Sequence, residues 1–473
     1  MQQVDLNRRN SLSEQEAASK PLSPSEFAQQ SRAFTGKTVQ ERSPWNTVAT
    51  ADAIRHFVYG ISDDNPLWLD SDYAAQGPYK HRIAPPTFLT SVLYPALHGA
   101  PVKQSFSPLI SALEYQWYAP IFEGNSLQAT ARQTGVYESR DRQGHPLVDI
   151  VSETYYWNQR ERLVGKARST LTWVARPHDE LLIDRPIYRY SETELNQIAQ
   201  AICQTNRTGQ ASLTANQLKV GQELPPLVRG PFSVGDLVCW QAAIGPSYRP
   251  AALGYLDALA APHTVTTHPV TGWPIKTSQQ HEDFLLASQR GMPRPFDNSV
   301  MRFAQVSPLI TNWIGDAGEL KKLAIQVVAP NLYGDTTWYR GRITQSTPYD
   351  HGTLVAVGIT GTNQLGEITT QGQATAWIPS SDSAKLFTSS STQWHQSFNP
   401  VSARESVLVK DIEQPQCIHA LVEIQAQKHP GKTAIVCDGR MLTFQELNQR
   451  ANQLAHYLQS AGVGPEAVVG LYL

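Results

Sequence analysis

The chain alternates short stretches of helical spacing with long stretches of period-two patterning, and it does so twice. Ala51, Ile54 and Phe57 recur at helical intervals and predict a helix over residues 50–57. The spacing breaks at Asn65-Pro66, a strong turn signal, and restarts as a short polar helix. Phe88, Leu89, Val92, Leu93 and Leu97 share one helical face and predict a buried helix over 86–97. Pro86 fits its first turn, where the missing N–H would have no partner, Gly99 fits its end, and Pro95 can kink or shorten it. Runs over 111–118, 126–139, 147–157 and 163–174 then read as strands, separated by Glu123-Gly124-Asn125, Arg142-Gln143-Gly144 and residues 158–162.

After a mixed connector with one predicted helix over 192–203, the pattern returns. Asp297-Asn298 can cap a helix bearing Val300, Phe303, Ala304, Leu309, Ile310 and Trp313, and Gly315 fits the C-cap of its last turn. Strand-like runs follow over 322–328, 336–346, 353–360 and 368–378. The two halves match in order. Ala119-Pro120 with Gly124 corresponds to Ala329-Pro330 with Gly334, and Asn158-Gln159 then Trp173 to Asn363-Gln364 then Trp377. Trp68, Asp70 and Ala74 correspond to His281, Asp283 and Ala287. An ordered series of this kind predicts a tandem repeat. The expected organisation is a disordered leader over 1–22, a first domain over 23–176, a connector over 177–227, a second domain over 228–379 and a linker over 380–412. A different segment occupies 413–473.

Composition narrows the partners. With 41% hydrophobic and 17% charged residues and a net charge of −2, the chain reads as globular, with no case for nucleic acid or an anionic membrane surface. Its four cysteines lack metal-ligand spacing, so no metal is expected and a reduced, cytoplasmic setting is. No apolar run approaches the ~20 residues of a membrane helix. Gly-rich phosphate loops and nucleophile elbows are absent from the sequence.

The stretch Ser62-Asp63-Asp64-Asn65-Pro66-Leu67-Trp68-Leu69-Asp70, followed by Ile83-Ala84-Pro85-Pro86-Thr87, resembles the MaoC-like hydratases and dehydratases of the hot-dog superfamily, in particular their FAS1-like dehydratase branch. That resemblance implies an α+β fold of two tandem hot-dogs, each an antiparallel sheet wrapped round a long helix. It implies 3-hydroxyacyl-thioester dehydratase or enoyl hydratase activity on a CoA- or carrier-bound acyl chain, with no cofactor beyond the arm that the substrate carries. The family loop runs Gly-Asp-x-Asn-Pro-x-His-x-Asp, and its Asp and His do the chemistry. Here Asp63, Asn65, Pro66 and Asp70 match, Ser62 stands for the glycine, and Trp68 for the histidine. The second half keeps His281 and Asp283, whereas Lys276 and Ser278 stand where Asp and Asn are expected.

The candidate catalytic residues are therefore Asp63, Asn65, His281 and Asp283, with Trp68, Ala84, Pro85 and Thr87 as candidate substrate contacts. Three arrangements follow from the divided dyad. One half works with a substitute, such as His81 or His56 in the first, or Glu282, Asp283 or Asp297 in the second. Alternatively a composite site joins Asp63 to His281, or the fold serves as a thioester-binding module. Helix starts after Ala84-Pro85 and after Asp297 would supply unpaired amides for a thioester oxygen.

The last segment has another character. Residues 417–422, His429-Pro430-Gly431-Lys432-Thr433-Ala434 and Leu442-Thr443-Phe444-Gln445-Glu446-Leu447 resemble the start of an amino-acid adenylation domain of non-ribosomal peptide synthetases. Only about its first sixty residues are present, so this fragment is expected to be inactive alone and to mark other peptide-synthetase modules as partners.

Overall fold

The computed structural model describes residues 22–39, 45–101, 107–175, 181, 183–204, 206–211, 213, 217–245, 251–289, 291–380, 423, 426–427, 429–437 and 440–460. The expected leader, and the linker beyond residue 380, lie outside them. The chain divides into two compact units, Met1–Thr392 and Gln393–Leu473.

The first unit is built on one antiparallel sheet of ten strands. In chain order these are β1 (Thr38–Val39), β2 (Ser107–Trp117), β3 (Leu127–Arg140), β4 (Pro146–Asn158), β5 (Leu163–Val174), β6 (Leu227–Arg229), β7 (Glu319–Val327), β8 (Thr337–Tyr349), β9 (Gly352–Asn363) and β10 (Ile368–Pro379). Their spatial order is β1-β3-β4-β5-β2-β7-β10-β9-β8-β6. The left half of that order is the first repeat and the right half the second. The seam is β2 against β7, with Leu323 opposite Tyr115 and Ile325 opposite Leu113. The two expected domains thus share one continuous sheet and one core.

Among its helices are α1 (Pro24–Arg32), α2 (Ala51–Gly60), α3 (Glu192–Cys203), α4 (Val234–Ile244), α5 (Ser299–Val306) and α6 (Pro308–Ile314). Sequence spacing located α2, α3 and the α5–α6 pair, and left α1 and α4 unread. Asn298 caps α5 by accepting the Val300 and Met301 amides, and Pro308 opens α6. The alternation of β9 puts Val355, Val357 and Ile359 inward. Phe303 on α5 is fully buried, its ring 5.0 Å from that of Tyr115 across the seam.

The repeat extends to individual hydrogen bonds. The Asn158 side chain accepts the amides of Arg160 and Arg162, as Asn363 accepts those of Leu365 and Glu367. Gln159 accepts from Ser126 N–H and Gln364 from Thr336 N–H. Gly124 and Gly334 both have positive φ, at 84° and 90°. Asp70 caps one short helix through Asp72 and Tyr73, as Asp283 does through Leu285 and Leu286.

The first half departs from expectation at its buried helix. Instead of a helix over 86–97, a 3-10 helix covers only Pro86–Ser91. Pro95 cannot donate in an α-helical ladder. The carbonyls beyond the break go elsewhere. Ser91 O accepts Asn46 N–H, Leu93 O accepts the Tyr156 hydroxyl, and Pro95 O accepts the Ser169 hydroxyl.

In the second unit Thr433–Cys437 pairs antiparallel with Arg440–Thr443, and the helix Phe444–Ser460 follows. Thr443 and Glu446 form a reciprocal cap at its start.

Candidate active site

The first-half loop leaves α2 at Gly60, where the helix crosses α4 so closely that an added Cβ would lie 2.5 Å from the Ala243 Cβ and 3.0 Å from the Cys239 carbonyl oxygen. Ser62 then adopts φ 54°, the left-handed conformation that explains the family's glycine. Asp63 follows, 5% exposed, with its oxygens committed to the loop. Oδ1 accepts the amides of Asp64 and Asn65, and Oδ2 accepts the Trp68 indole N–H at 3.0 Å. Burial holds its carboxyl above the usual range, against the opposing pull of Arg229, Arg207 and the indole. Trp68 therefore fills the family histidine's place in the bond to Asp63 but not in its chemistry. An indole N–H donates and cannot take up a proton.

Next to this loop lies a cavity of about 60 Å³, lined by Asn65, Trp68, Ala84, Pro86, Trp117 and Ile121 among others, and closed by residues at the end of α6. Asn65 spends its oxygen on Leu67 N–H, and its amide nitrogen has no hydrogen-bond partner among the described residues. The structure thus brings together three expected residues, Asn65, Trp68 and Ala84. Pro85 is not among the lining residues. Thr87 is fully buried, with its hydroxyl 3.3 Å from that of Ser307, so it joins the halves and does not face the cavity. His56 and His81 are exposed and neither is a partner of Asp63.

The second-half centre is differently built. His281 ends the 3-10 helix Thr277–His281, and its Nδ1 stands 3.0 Å from the Phe296 carbonyl oxygen. A carbonyl only accepts, so Nδ1 carries the proton and Nε2 keeps its lone pair. Burial pushes the imidazole below its usual pKa, so the ring is neutral at pH 7. Phe296 immediately precedes Asp297-Asn298 at the start of α5. Asn298 caps that helix and also hydrogen-bonds the Tyr94 hydroxyl, which comes from the first half; burial pushes Tyr94 up to about 12. The cap satisfies Val300 and Met301 and leaves the Ser299 amide without a partner among the described residues.

The other acids near His281 are engaged. Asp297 makes a buried bidentate pair with Arg302 and accepts from Asn331, which makes it a brace between α5 and the sheet. Asp283 caps Phe284–Gln289, and its Oδ2 stands 3.2 Å from His268 Nε2. Glu282 turns to Gln241 of α4. Burial raises its carboxyl to about 7, and its Oε2 has no hydrogen-bond partner among the described residues. Among the described residues Asp63 accepts from Asp64, Asn65 and Trp68 of its own loop and His281 bonds the Phe296 carbonyl, so no hydrogen bond joins Asp63 to His281. Among the described residues no cluster of His, Cys, Asp or Glu could hold a metal, and no helix is long and apolar enough to cross a membrane.

Sequence expectations missed Tyr94 and Phe296. A tyrosine in an apolar run carries no signal of a partner two hundred residues away, and a backbone carbonyl carries none at all.

The profile described as "FAS1-like, dehydratase domain region" matches residues 33–167, and that of "AMP-binding enzyme" matches residues 422–473. A solved structure titled "MaoC-like dehydratase" superposes with a TM-score of 0.51 at 17% identity, covering 74% of this chain and all of that one. Tyrocidine synthase 3 of Brevibacillus parabrevis is 57% identical over 54 residues, 11% of this chain and 1% of that protein's length. Gramicidin S synthase 1 of Brevibacillus brevis is 45% identical over 56 residues, 12% of this chain and 5% of that protein's length. The chain thus spans only a small fraction of these two relatives. Residues 33–167 thus match a FAS1-like dehydratase region, the first unit has the fold of the solved MaoC-like dehydratase, and residues 422–473 match an AMP-binding segment similar to those of peptide synthetases.

Proposed function

We propose that the hot-dog unit is a 3-hydroxyacyl-thioester dehydratase, or in reverse an enoyl-thioester hydratase, working at the second-half centre with His281 as its base. The observation that carries this reading is the contact of His281 Nδ1 with the Phe296 carbonyl, which assigns the proton to Nδ1 and leaves Nε2 its lone pair. In the hydration direction Nε2 takes a proton from water as the oxygen attacks C3 of the enoyl thioester. Electron density moves to the thioester oxygen, for which the Ser299 amide at the start of α5 is the available donor. The imidazolium then returns its proton to C2, so that one water is added and the histidine is regenerated.

The first-half loop contributes stability and cavity wall, not proton transfer. The substrate arm is CoA or the phosphopantetheine of a carrier protein, and the AMP-binding segment favours a peptide-synthetase setting. Incubation with crotonyl-CoA should deplete the enoyl-thioester absorbance and give a product heavier by one water. Binding of the thioester without turnover would instead support a second reading, that of a substrate-holding module. Lys276, standing where the family has its acid, favours that alternative.

A further inference from the structure

The repeat sets a filled space in one half against an open one in the other. In the first half Ile83 pairs antiparallel with Phe122, and the cavity of about 60 Å³ is lined there by Trp68, Tyr79, Ile83 and, from β7, Glu319. The second half repeats these positions. Phe296 bridges Leu332 as Ile83 pairs with Phe122. His281, Met292 and Phe296 follow Trp68, Tyr79 and Ile83 at one constant offset. Leu109 stands to Glu319 as Ala112 stands to Lys322 and Gln116 to Gln326 across the β2–β7 seam. Yet in the second half Met292, Phe296, Leu332 and Ala287 close on one another as a separate apolar cluster, with Leu109 and Ile183 packed against it. The cluster begins beside the base, since the rings of His281 and Phe296 lie 4.4 Å apart. Ile183 belongs to neither hot-dog. It comes from the connector, which supplies no lining residue to the first-half cavity among the described residues.

The connector is fastened at this place. Arg294, 4% exposed, donates Nη1 to the Arg185 carbonyl at 2.7 Å, Nη2 to the Pro186 carbonyl at 3.1 Å and Nε to the Tyr333 carbonyl at 3.0 Å. Arg185 pairs with the buried Asp335, which accepts the Leu332 amide at 2.8 Å, so the anchor reaches the cluster itself. The Tyr190 hydroxyl donates to the Gly334 carbonyl at 2.8 Å. Anchors on both sides of the backbone turn Ile183 into a fixed wall, and a close-packed wall yields little to added volume. An acyl chain whose C3 is delivered to His281 needs apolar space next to that ring, and the apolar surface there is this cluster. We propose that Ile183 is a specificity residue that limits the His281 site to short acyl chains such as crotonyl, resting on the reading of His281 as the thioester centre.

The test is calorimetric titration of the full chain with CoA, butyryl-CoA and octanoyl-CoA, whose saturated chains cannot be hydrated. An open apolar channel would favour the longer chain, because each added methylene is then buried. A closed one reverses the order, and the wild type should bind butyryl-CoA at least about tenfold more tightly than octanoyl-CoA, the scale on which a pocket discriminates a single methylene. Ile183→Ala should erase that preference by tightening octanoyl-CoA, and Ile183→Val, the smaller change, should do so in part. Leu181→Ala, exposed on the same connector, should keep the wild-type preference. Thermal melting checks that each variant is folded, and Ile183→Val carries the test if Ile183→Ala is not. Tighter binding of octanoyl-CoA by the wild type, acyl-CoA affinities no different from that of CoA, or a preference that survives in the folded Ile183 variants would overturn the proposal. Hydration of crotonyl-CoA is measured alongside. Turnover without chain-length preference removes the role of Ile183 and leaves the dehydratase reading. A preference that the Ile183 variants erase, without turnover of any thioester, keeps that role in a substrate-holding site and removes the dehydratase.

Discussion

At the scale of single residues, the proposed chemistry turns on two positions that the repeat makes equivalent, Trp68 and His281. Each sits two residues before a capping aspartate, Asp70 or Asp283, and each donates a ring N–H to an oxygen. The partners differ. Trp68 gives its proton to a carboxylate and has nothing left to offer, whereas His281 gives Nδ1–H to a carbonyl and retains Nε2. In Asp63→Asn the new amide would have to accept from both the indole and the loop amides, leaving at least one buried donor unpaired at a cost of about 1–3 kcal/mol. Thermal melting should report this as a lower Tm without loss of turnover. Ser62→Gly should raise stability by up to about 1 kcal/mol, because it removes a side chain from the left-handed region. Glu282 gives a signed pH dependence. Its folded pKa of about 7 lies above the unfolded value near 4.5. The stability linked to its protonation is therefore present below about pH 4.5 and lost as pH rises to about 7. Glu282→Gln should flatten that part of the stability profile, and denaturant melts between pH 4 and 8 would show it.

At the scale of elements, most of the fold was legible and the reason is periodicity. Strands β8 and β9 alternate over most of their length, and the helices α3 and α5 carry caps that a sequence displays. The helix expected over 86–97 was not legible as a 3-10 turn. Its apolar spacing was sound, but Pro95 and the sheet hydroxyls that take up its carbonyls decide the outcome. The candidate site was half legible. The loop positions could be read from the family motif, while the tautomer of His281, the cap by Asn298 and the Tyr94 contact depend on residues distant in sequence. Two predictions belong here. Gly60→Ala should destabilise the unit by about 1–3 kcal/mol, because the new methyl meets the α4 backbone as well as a side chain. Asp297→Ala should cost about 3–5 kcal/mol by leaving the buried Arg302 guanidinium without its carboxylate. Both can be read from chemical denaturation midpoints.

At the scale of the whole molecule, the pairing of β2 with β7 makes the two hot-dogs one sheet, and Tyr115 and Phe303 pack across that seam. The hot-dog unit should therefore unfold in a single transition, and destabilising either half should shift it as a whole. Two separated transitions within that unit would contradict a shared core. Such fusion also explains how the repeats could diverge. With the partner half permanently attached, the proposed assignment lets one loop give its family-histidine position to packing while the other keeps a histidine there. The measurement that bears most directly on this division is crotonyl-CoA hydration by the full chain, comparing wild type, His281→Ala and Asp63→Asn under conditions where all three are folded. His281→Ala should lose essentially all turnover and Asp63→Asn should retain it. Loss in Asp63→Asn with activity surviving in His281→Ala would place the chemistry in the first half and contradict the assignment of His281 as the base.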